Sequence, residues 1–326
     1  MPKRSGGVMF MEHYQEEAIR NHVTLCDDAL IEIEEAFKKL HSRAVSQPPV
    51  IRVDIPEHRG EADIKTAYIP GFSTFAIKVS CGFFNNPSIG LPSLGGLMLA
   101  MDAKTGVPKA LLADNGYLTD VRTALAGAIA ADCLAKKTIS TVAVFGTGMQ
   151  ARLQVKALKL VRDFAEVVVF GRSEEKARLY KKEIEGELNV PVRLAKCGKE
   201  AAERADLIIT TTPAEQYIVK ADWLLPGVHV NAIGSDAEHK QEIEPAAFFK
   251  ADKVVCDLYS QSSTIGELHH VQGFLAEHAI ELGAILTGEK EGRTSEQERT
   301  ICDLTGTGVQ DTAIANYALA KMKRSE

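Results

Sequence analysis

The feature that most constrains this chain is a pair of glycines between an apolar run and a helical pattern. In TVAVFGTGMQARLQVKALKLV, residues 141–161, Gly146 and Gly148 follow the apolar run directly and Ala151 comes three positions later. A strand, a Gly-x-Gly-x-x-Gly/Ala turn and a helix make up the dinucleotide-binding fingerprint, because the glycines let backbone N–H groups approach a pyrophosphate. The pattern also fits a plain structural turn, but its context favours a cofactor cradle at a helix N-terminus.

The end of the next strand bears on which dinucleotide binds. The strand VVVF, residues 167–170, runs into Gly171, Arg172 and Ser173, with no acidic residue at its tip. An acid there would hold the ribose 2′-hydroxyl of NAD(H), whereas arginine and serine suit a 2′-phosphate. The pattern therefore favours NADP(H), with NAD(H) as the alternative cofactor. Arg172 also fits a purely structural role, as a solvated residue at the start of a helix.

Charged residues with apolar neighbours mark a second candidate site. Arg52 lies in VIRVDIP, Lys78 in AIKVS and Arg122 in LTDVRTA. Converging cations would bind a carboxylate and hold an amino or imino acid against a nicotinamide. Asp236, in NAIGSDAEHK, follows a predicted strand and could move protons at a substrate nitrogen. Each residue alone also fits a structural role, either a surface cation or a turn or capping aspartate.

Two regions of different pattern predict the architecture. From residue 138 onward strands alternate with helices, which predicts a parallel, doubly wound α/β sheet. The earlier region instead shows short β-like runs (IRVDI, FAIKV, GLMLAM and KALLA) punctuated by Gly and Pro, as in an α+β unit. The predicted strands of the later region cover residues 142–145, 167–170, 192–194, 207–211, 228–233 and 254–256. The predicted helices cover residues 24–45, 118–135, 174–187 and 200–205.

The bulk composition argues against several classes of partner. The 326 residues carry 38 Lys and Arg against 44 Asp and Glu, a formal net charge of -6, which disfavours nucleic acid or an anionic membrane. Six cysteines are scattered without a Cys-x-x-Cys pair, so neither a disulfide framework nor a metal site is predicted. No apolar run suits a secretory signal or reaches the roughly 18 residues of a membrane helix. We therefore expect a cytoplasmic enzyme.

Several runs of the chain, in this order, resemble the ornithine cyclodeaminase/mu-crystallin family: LTDVRTALAGAIAADCLAK, VAVFGTGMQA, ADLIITTTP, PGVHVNAIGSD, and EGRTS with the later DLTGTGVQDTAIA. The resemblance implies a central NAD(P)-binding Rossmann domain over residues 129–305. It also implies a discontinuous α+β domain for substrate binding and dimerisation, over residues 1–128 with 306–326, and hence a homodimer. The phrases IKTAYIPGF and GFFNNPSIGLPSL resemble a bacterial subgroup associated with ectoine utilisation.

The resemblance also implies roles for individual residues. Arg52, Lys78 and Arg122 would hold the substrate carboxylate, and Asp236 would be the acid/base group at the reacting nitrogen, with Lys78 as its catalytic partner. The positions implied to contact the cofactor are Ser93, Gly146, Thr147, Gly148, Met149, Gln150, Arg172, Ser173, Thr212 and Val309.

One departure from the family pattern bears on the reaction. Cyclodeaminases of the family carry a glutamate shortly before the proline that corresponds to Pro70, whereas this chain has Ala67 there, in KTAYIP. The strand-end acid for NAD is also missing. Both differences favour hydride transfer at the α-carbon of a small amino or imino acid, as in a ketimine reductase or an amino-acid dehydrogenase. Two alternatives stay open: cyclodeamination of ornithine or a related diamino acid with release of ammonia, and a cofactor-dependent protein that binds small ligands, as mu-crystallin does.

Overall fold

The computed structural model describes residues 11–324, so the outermost ends of the predicted discontinuous domain, residues 1–10 and 325–326, lie outside the described residues. Two sheets with helices packed around them form the architecture, which confirms the predicted α/β class. No helix within the described range combines the length and apolar composition that a membrane crossing requires.

The first sheet has six strands in the order β1-β6-β5-β4-β3-β2, antiparallel except for the parallel pair of β1 and β6. The strands are β1 Glu12–Gln15, β2 Ile51–Ile55, β3 Gly60–Ala67, β4 Thr74–Phe83, β5 Leu94–Asp102 and β6 Pro108–Ala113. The four β-like runs fall in β2, β4, β5 and β6. The sequence prediction missed β3, because its alternate positions are charged and its other positions give no continuous apolar run.

Three helices accompany this sheet: α1 Glu16–His22, α2 Asp27–His41 and α3 Tyr117–Leu134. Ile33, Phe37 and Leu40 form the buried stripe of α2, and acids in its first turn and bases in its last complement the helix dipole. The helix predicted over residues 24–45 is therefore real but shorter. The helix predicted over residues 118–135 is α3, shifted by one residue.

The two faces of the first sheet differ, because the covered face mixes buried charges with apolar core side chains such as Met98 and Leu112. On the face covered by helices, β3 and β4 place the buried side chains of Asp63, Lys65 and Lys78. The opposite face is apolar and partly exposed, and Leu97 there is 38% exposed. The side chains of this outward face include Ile64, Ile77, Val79, Leu97, Leu99 and Leu111. Side chains alternate between faces along a strand, so this division follows directly from the strand register.

The second sheet has eight strands, all paired in parallel. Their order is β13-β12-β14-β11-β10-β7-β8-β9. The strands are β7 Thr141–Phe145, β8 Glu166–Phe170, β9 Val192–Leu194, β10 Leu207–Thr210, β11 His229–Ala232, β12 Lys253–Cys256, β13 Ala279–Glu281 and β14 Thr300–Asp303. The six predicted strands agree to within one residue at each end. Two strands, β13 and β14, were not predicted, because β14 reads TICD and β13 only AIE, too short and too polar to stand out.

Helices of this half connect its strands. They are α4 Met149–Leu158, α5 Glu174–Leu188, α6 Gly198–Ala202, α7 Ala246–Lys250, α8 Tyr259–Ile265 and α9 Leu282–Leu286. The helix predicted over residues 174–187 is α5, and the one over residues 200–205 begins and ends earlier, as α6.

The last helix, α10 Gly308–Lys323, leaves the second sheet and packs against β3, β4 and α2 of the first half. Thr307 and Gln310 form a capping box at its start. The predicted boundary between residues 128 and 129 falls inside α3, whose Gly127 carbonyl accepts a 2.8 Å hydrogen bond from Asn231 Nδ2 of β11. The limits of the two domains stay a prediction.

Candidate active site

The glycine loop between β7 and α4 has the geometry of an anion cradle. Gly146 has φ +123°, and an added Cβ would lie 2.5 Å from Thr211 Oγ1, so only glycine fits without strain. At Gly148 an added Cβ would meet no atom of the described chain within 4 Å, which leaves open space above the backbone. Within the described residues, no side chain caps the start of α4, and its first turn contains no acidic residue. Its first N–H groups are therefore available to a pyrophosphate.

The other residues predicted for this loop have different surroundings. Thr147 packs against Gly171 at the tip of β8, where an added Cβ would be 2.7 Å from Thr147 Cγ2. Met149 is half exposed in the first turn of α4. Gln150 points towards α3 instead, and its Nε2 donates to Asp120 Oδ1 at 2.9 Å. Gln150 therefore ties α4 to α3 in this structure.

At the tip of β8, Arg172 and Ser173 occupy the expected ribose end of the cradle. Arg172 is exposed and, within the described part of the chain, has no carboxylate oxygen within 4.0 Å. Ser173 caps α5, where its Oγ accepts a 3.3 Å hydrogen bond from the Lys176 N–H. A guanidinium that is not committed to a protein carboxylate is free to bind an anion.

Two of the three predicted substrate cations meet around one carboxylate. Asp311, in the first turn of α10, accepts a 3.0 Å hydrogen bond from Lys78 Nζ and another of 3.0 Å from Arg122 Nε. All three side chains are at least 95% buried, and Arg122 also reaches Gln310 Oε1 at 3.3 Å. Burial and the adjacent charge of Arg122 lower the pKa of Lys78 to about 7, although Asp311 opposes this shift.

The third predicted cation, Arg52, lies apart from this group. Its guanidinium donates to Asp54 at 2.9 Å, to Asp63 at 3.3 Å and to Glu61. Arg52 is therefore surrounded by carboxylates of β2 and β3. Burial raises the pKa of Asp63, although the charge of Lys65 opposes this shift. A substrate carboxylate would reach Arg52 only by displacing one of these acids.

Asp236 follows β11 and bridges the two halves through Lys240. Lys240 Nζ donates to Asp236 Oδ1 at 2.7 Å and to Glu61 Oε1 of the first sheet at 3.0 Å. The Asp236 side chain is 39% exposed, so it can meet a ligand. Burial would favour its neutral form, but the charges of Lys240 and Lys65 outweigh this and lower the pKa of Asp236 to about 2. Asp236 is thus a carboxylate at neutral pH.

Buried glutamates hold the strand tips from which Asp236 projects. Glu242 is fully buried and accepts the Thr212 N–H at 2.5 Å and the Gly234 N–H at 2.8 Å. Glu267, also fully buried, accepts the N–H of Glu242 at 2.7 Å. Burial raises the pKa of Glu242 to about 7. The two glutamates fix the carboxyl edge of β10 and β11, where ligands bind in sheets of this kind.

The remaining predicted positions, Ser93, Thr212 and Val309, come from three separate segments. Ser93 is partly buried, and its carbonyl accepts the Phe83 N–H at 2.7 Å. Thr212 follows β10 and is held by Glu242, as described above. Val309, in the first turn of α10, is fully buried, and its N–H donates to Gln47 Oε1 at 3.1 Å. The Val309 side chain belongs to the main hydrophobic core.

Sequence reasoning missed several buried charges in the region between the first sheet and Asp236, a region that we call the cleft. Asp311, Lys240, Glu61 and Lys65 are all buried charged residues of the cleft. A signal existed for Asp311, because it is an acid within the otherwise uncharged run TGTGVQDTAIANYALA. A signal also existed in β3, where GEADIKTA alternates charged and small or apolar positions. Neither pattern names a partner, so the ion pairs became visible only in the structure.

Comparison with known proteins assigns these elements to a family. Residues 11–326 match the profile of the ornithine cyclodeaminase/mu-crystallin family. The chain is similar, with 49% identity and 97% of each chain covered, to a protein of Rhizobium meliloti that carries the name of a dehydrogenase. It is also similar, with 48% identity over 95% of this chain and 96% of the relative, to a protein of Sinorhizobium fredii named as an uncharacterised cyclodeaminase.

Solved structures of related enzymes share the whole fold. The Δ1-pyrroline-2-carboxylate reductase of Thermococcus litoralis, in complex with NADH and L-proline, superposes with a TM-score of 0.91 at 26% identity. That match covers 97% of this chain and 98% of the other. An archaeal alanine dehydrogenase dimer with bound NAD superposes with a TM-score of 0.88 at 30% identity, over 97% of each chain.

Proposed function

The chain belongs to the ornithine cyclodeaminase/mu-crystallin family, and from this premise we propose that it is an NAD(P)(H)-dependent oxidoreductase acting at the α-carbon of a small amino or imino acid. The observation that carries the proposal is that buried cations of the first sheet and of α3 lie on the side of the molecule that Lys240 joins to Asp236, through its hydrogen bonds to Asp236 and Glu61. Lys78 and Arg122 are the cations, and the ionised Asp236 is the carboxylate. An amino or imino acid carries a carboxylate and a cationic nitrogen on its α-carbon, so these opposite charges orient it.

The residues of the cleft have distinct tasks in this reaction. Lys78 and Arg122 bind the substrate carboxylate, while Asp311 keeps their charges compensated in the absence of substrate. Asp236 accepts a hydrogen bond from the substrate nitrogen and keeps an imine in its protonated, electrophilic form. When bound, the nicotinamide supplies or accepts the hydride. Because Asp236 is ionised, it stabilises the positive charge on nitrogen and does not donate a proton from the resting state.

The cofactor is a nicotinamide dinucleotide, and we infer a preference for NADP(H) over NAD(H). Gly146, Gly148 and the uncapped start of α4 suit the pyrophosphate. Arg172 and Ser173 stand where an acid would select NAD(H), and Arg172 is exposed and uncommitted within residues 11–324. The two superposed enzymes were solved with NADH and NAD. Cofactor choice in this chain therefore depends on the tip of β8.

We further propose a homodimer in which the outward face of the first sheet is covered. That face is apolar across β3, β4, β5 and β6, and side chains such as Leu97 remain exposed in the single chain. A continuous apolar sheet face is typical of a protein–protein interface. The dimeric state of the archaeal alanine dehydrogenase is in keeping with this arrangement.

Cyclodeamination is the main alternative reaction. It requires recognition of a distal amine, and at the relevant position the chain has Ala67, which is 1% exposed. The start of α10 closes this position, because Thr312 Oγ1 donates to the Ala67 carbonyl at 2.7 Å and an added Cβ on Gly308 would lie 3.2 Å from Ala67 Cβ. A distal amine therefore finds no carboxylate at Ala67. A ligand-binding protein without turnover is less compatible with the retained Lys78, Arg122 and Asp236.

The test follows nicotinamide absorbance with NADPH and with NADH in the presence of 2-oxo acids plus ammonium or amines, and with a cyclic ketimine. Ornithine with NAD is assayed in parallel for ammonia. We expect stoichiometric oxidation of the reduced cofactor by an imine. Ammonia released from ornithine without net change of cofactor would instead establish cyclodeamination, and the absence of both reactions would favour a binding protein.

Two variants test the roles of individual residues. Lys78→Ala and Asp236→Asn are expected to lower kcat/KM by about 10²- to 10⁴-fold, because each removes a group that orients or activates the substrate. Cofactor dissociation constants, measured by fluorescence titration, should stay within about twofold. Lys104→Ala and Asp163→Asn, which change exposed residues, serve as matched controls. Wild-type turnover in Lys78→Ala and Asp236→Asn would remove the proposed mechanism.

A further inference from the structure

One buried cation of the cleft lacks the partner that the others have. The cationic side chains buried in the described part of the chain are Lys65, Lys78, Arg122 and Lys240. All but Lys65 pair with carboxylates. Lys65 is 6% exposed, yet no carboxylate oxygen of residues 11–324 lies within 4.0 Å of its Nζ. The charges of Asp63, Asp236 and Asp311 act on Lys65 only from beyond 4.0 Å. Burying a charge costs several kcal/mol, so an anion in direct contact would stabilise Lys65 further.

The contacts that Lys65 does make leave part of its ammonium group unused. Its Nζ donates to the carbonyl oxygens of Thr305 at 3.1 Å and Gly306 at 3.0 Å. An ammonium group has three N–H donors, so one remains. Asp257 lies behind the same turn, where it accepts the Gly306 N–H at 2.7 Å and Thr305 Oγ1 at 2.9 Å. Asp257 thus stabilises the turn and does not reach Lys65.

The position of Lys65 relates it to the substrate-binding cations. In the register of β3 and β4, Lys65 lies directly opposite Lys78 on the helix-covered face of the sheet. Residues opposite each other have Cβ atoms about 5 Å apart, and like charges placed there repel. Asp311 pairs directly with Lys78 and Arg122, while its charge acts on Lys65 from beyond 4.0 Å. One substrate carboxylate bound by Lys78 and Arg122 would still leave Lys65 without a direct ion pair.

We propose that Lys65 binds a second carboxylate of the substrate, so that the substrate is an amino or imino acid with two carboxylate groups joined by a short aliphatic link. This inference rests on the proposed function, because it names the substrate class of the same site. The reaction stays balanced: the C=N carbon of the imino dicarboxylate gains a hydride from NAD(P)H, the nitrogen gains a proton from solvent, and NAD(P)⁺ and the amino dicarboxylate leave.

Turnover gives the first test. Reduction is measured with oxaloacetate plus ammonium and with pyruvate plus ammonium, for the wild type, for Lys65→Met and for the exposed control Lys104→Met. We expect the wild type to favour the dicarboxylate in kcat/KM by about 10- to 100-fold, the range for a hydrogen bond to a charged group. Lys65→Met should bring that ratio close to one, and Lys104→Met should leave it unchanged. The ratio does not depend on the fraction of folded enzyme.

Binding gives the second test and separates this inference from the proposed function. Calorimetry measures L-aspartate and L-alanine binding to the protein with NADPH, a reduced cofactor that cannot oxidise them. Tighter binding of aspartate in the wild type and in Lys65→Arg, lost in Lys65→Met, supports the inference even where no imine is reduced. Equal affinity for both amino acids in the wild type, or a dicarboxylate preference that survives Lys65→Met, overturns it, even where imines are reduced. A tenfold weaker NADPH affinity in Lys65→Met would also overturn it, because Lys65 would then act on the cofactor end.

Discussion

The two sheets of this protein use their surfaces in opposite ways. In the second sheet, strands such as β7 and β11 are buried on both faces, and the predicted site residues lie beyond their carboxyl ends, at Gly146 and at Asp236. In the first sheet the predicted site residues lie on the covered face, where Lys65 and Lys78 are buried beside core residues such as Met98. The opposite face carries apolar side chains that are partly exposed.

The difference follows from how each kind of sheet is covered by its helices. A parallel sheet covered on both faces has only its edges left for ligands. An antiparallel sheet has two distinct faces, and here one carries buried charges among core residues while the other stays partly exposed. Buried charges on the covered face indicate the candidate site, and exposed apolar side chains on the opposite face indicate the proposed dimer surface.

The largest effect is expected at Asp311, the carboxylate that compensates the buried charges of Lys78 and Arg122. Asp311→Asn would leave Lys78 and Arg122 buried without their shared counter-charge, and we expect the free energy of unfolding to fall by about 3–5 kcal/mol. Urea unfolding followed by circular dichroism measures this. The control Asp163→Asn, on a fully exposed side chain, should change stability by less than about 0.5 kcal/mol. Equal stability of the two variants would contradict the role given to Asp311.

A charge introduced on the outward face of the first sheet should weaken assembly of the dimer. Ile77→Glu places a carboxylate among the apolar side chains of β4, β5 and β6, and we expect the dimer to dissociate at least about 30-fold more readily, a cost of about 2 kcal/mol. Analytical ultracentrifugation over a concentration series gives the dissociation constant. Phe249→Glu changes an exposed aromatic residue of α7, 62% exposed, and should not alter assembly. A dimer insensitive to Ile77→Glu would mean that another surface forms the interface.

Substrate affinity should depend on pH through Lys78. With its pKa lowered to about 7, Lys78 is about 90% charged at pH 6 and about 10% charged at pH 8. The charged form binds the carboxylate, so KM should be lowest below pH 7 and rise about ninefold between pH 6 and pH 8. Steady-state kinetics across this range measures the change. In Lys78→Arg, which stays charged throughout, the profile should flatten; an unchanged profile would assign the pH dependence to another group.

The smallest effect is expected at Arg172, beyond the carboxyl end of β8. Arg172 is exposed, so its contact with a 2′-phosphate is partly screened by solvent. Arg172→Ala should weaken NADPH binding by about fivefold, or about 1 kcal/mol, and leave NADH binding unchanged. Fluorescence titration with both cofactors tests this. An equal loss for NADH would show that Arg172 supports the loop and does not select the 2′-phosphate.

Much of the second sheet could be predicted from local sequence, and much of the first could not. Six of the eight parallel strands were predicted because short apolar runs bounded by turns identify buried strands. In the first sheet, β3 was missed because half of its positions are charged, although that alternation is what brings Asp63 and Lys65 to the cleft. Lys78, Arg122 and Asp236 were predicted as site residues, which stays a prediction, but their ion-pair partners Asp311 and Lys240 were not singled out.

By itself, the sequence determined the glycine loop, the order of most strands and helices, and the family, because these depend on residues close together in the chain. Only the tertiary structure decided which charges are compensated. Lys78 and Asp311 are 233 positions apart, and Glu61 and Lys240 are 179 positions apart. Such pairs form when the return of α10 and the packing of the two sheets bring distant segments into one buried cleft. In this low-dielectric region each ion pair is stronger than in water, and the lack of a direct ion pair at Lys65 costs more than it would at the surface.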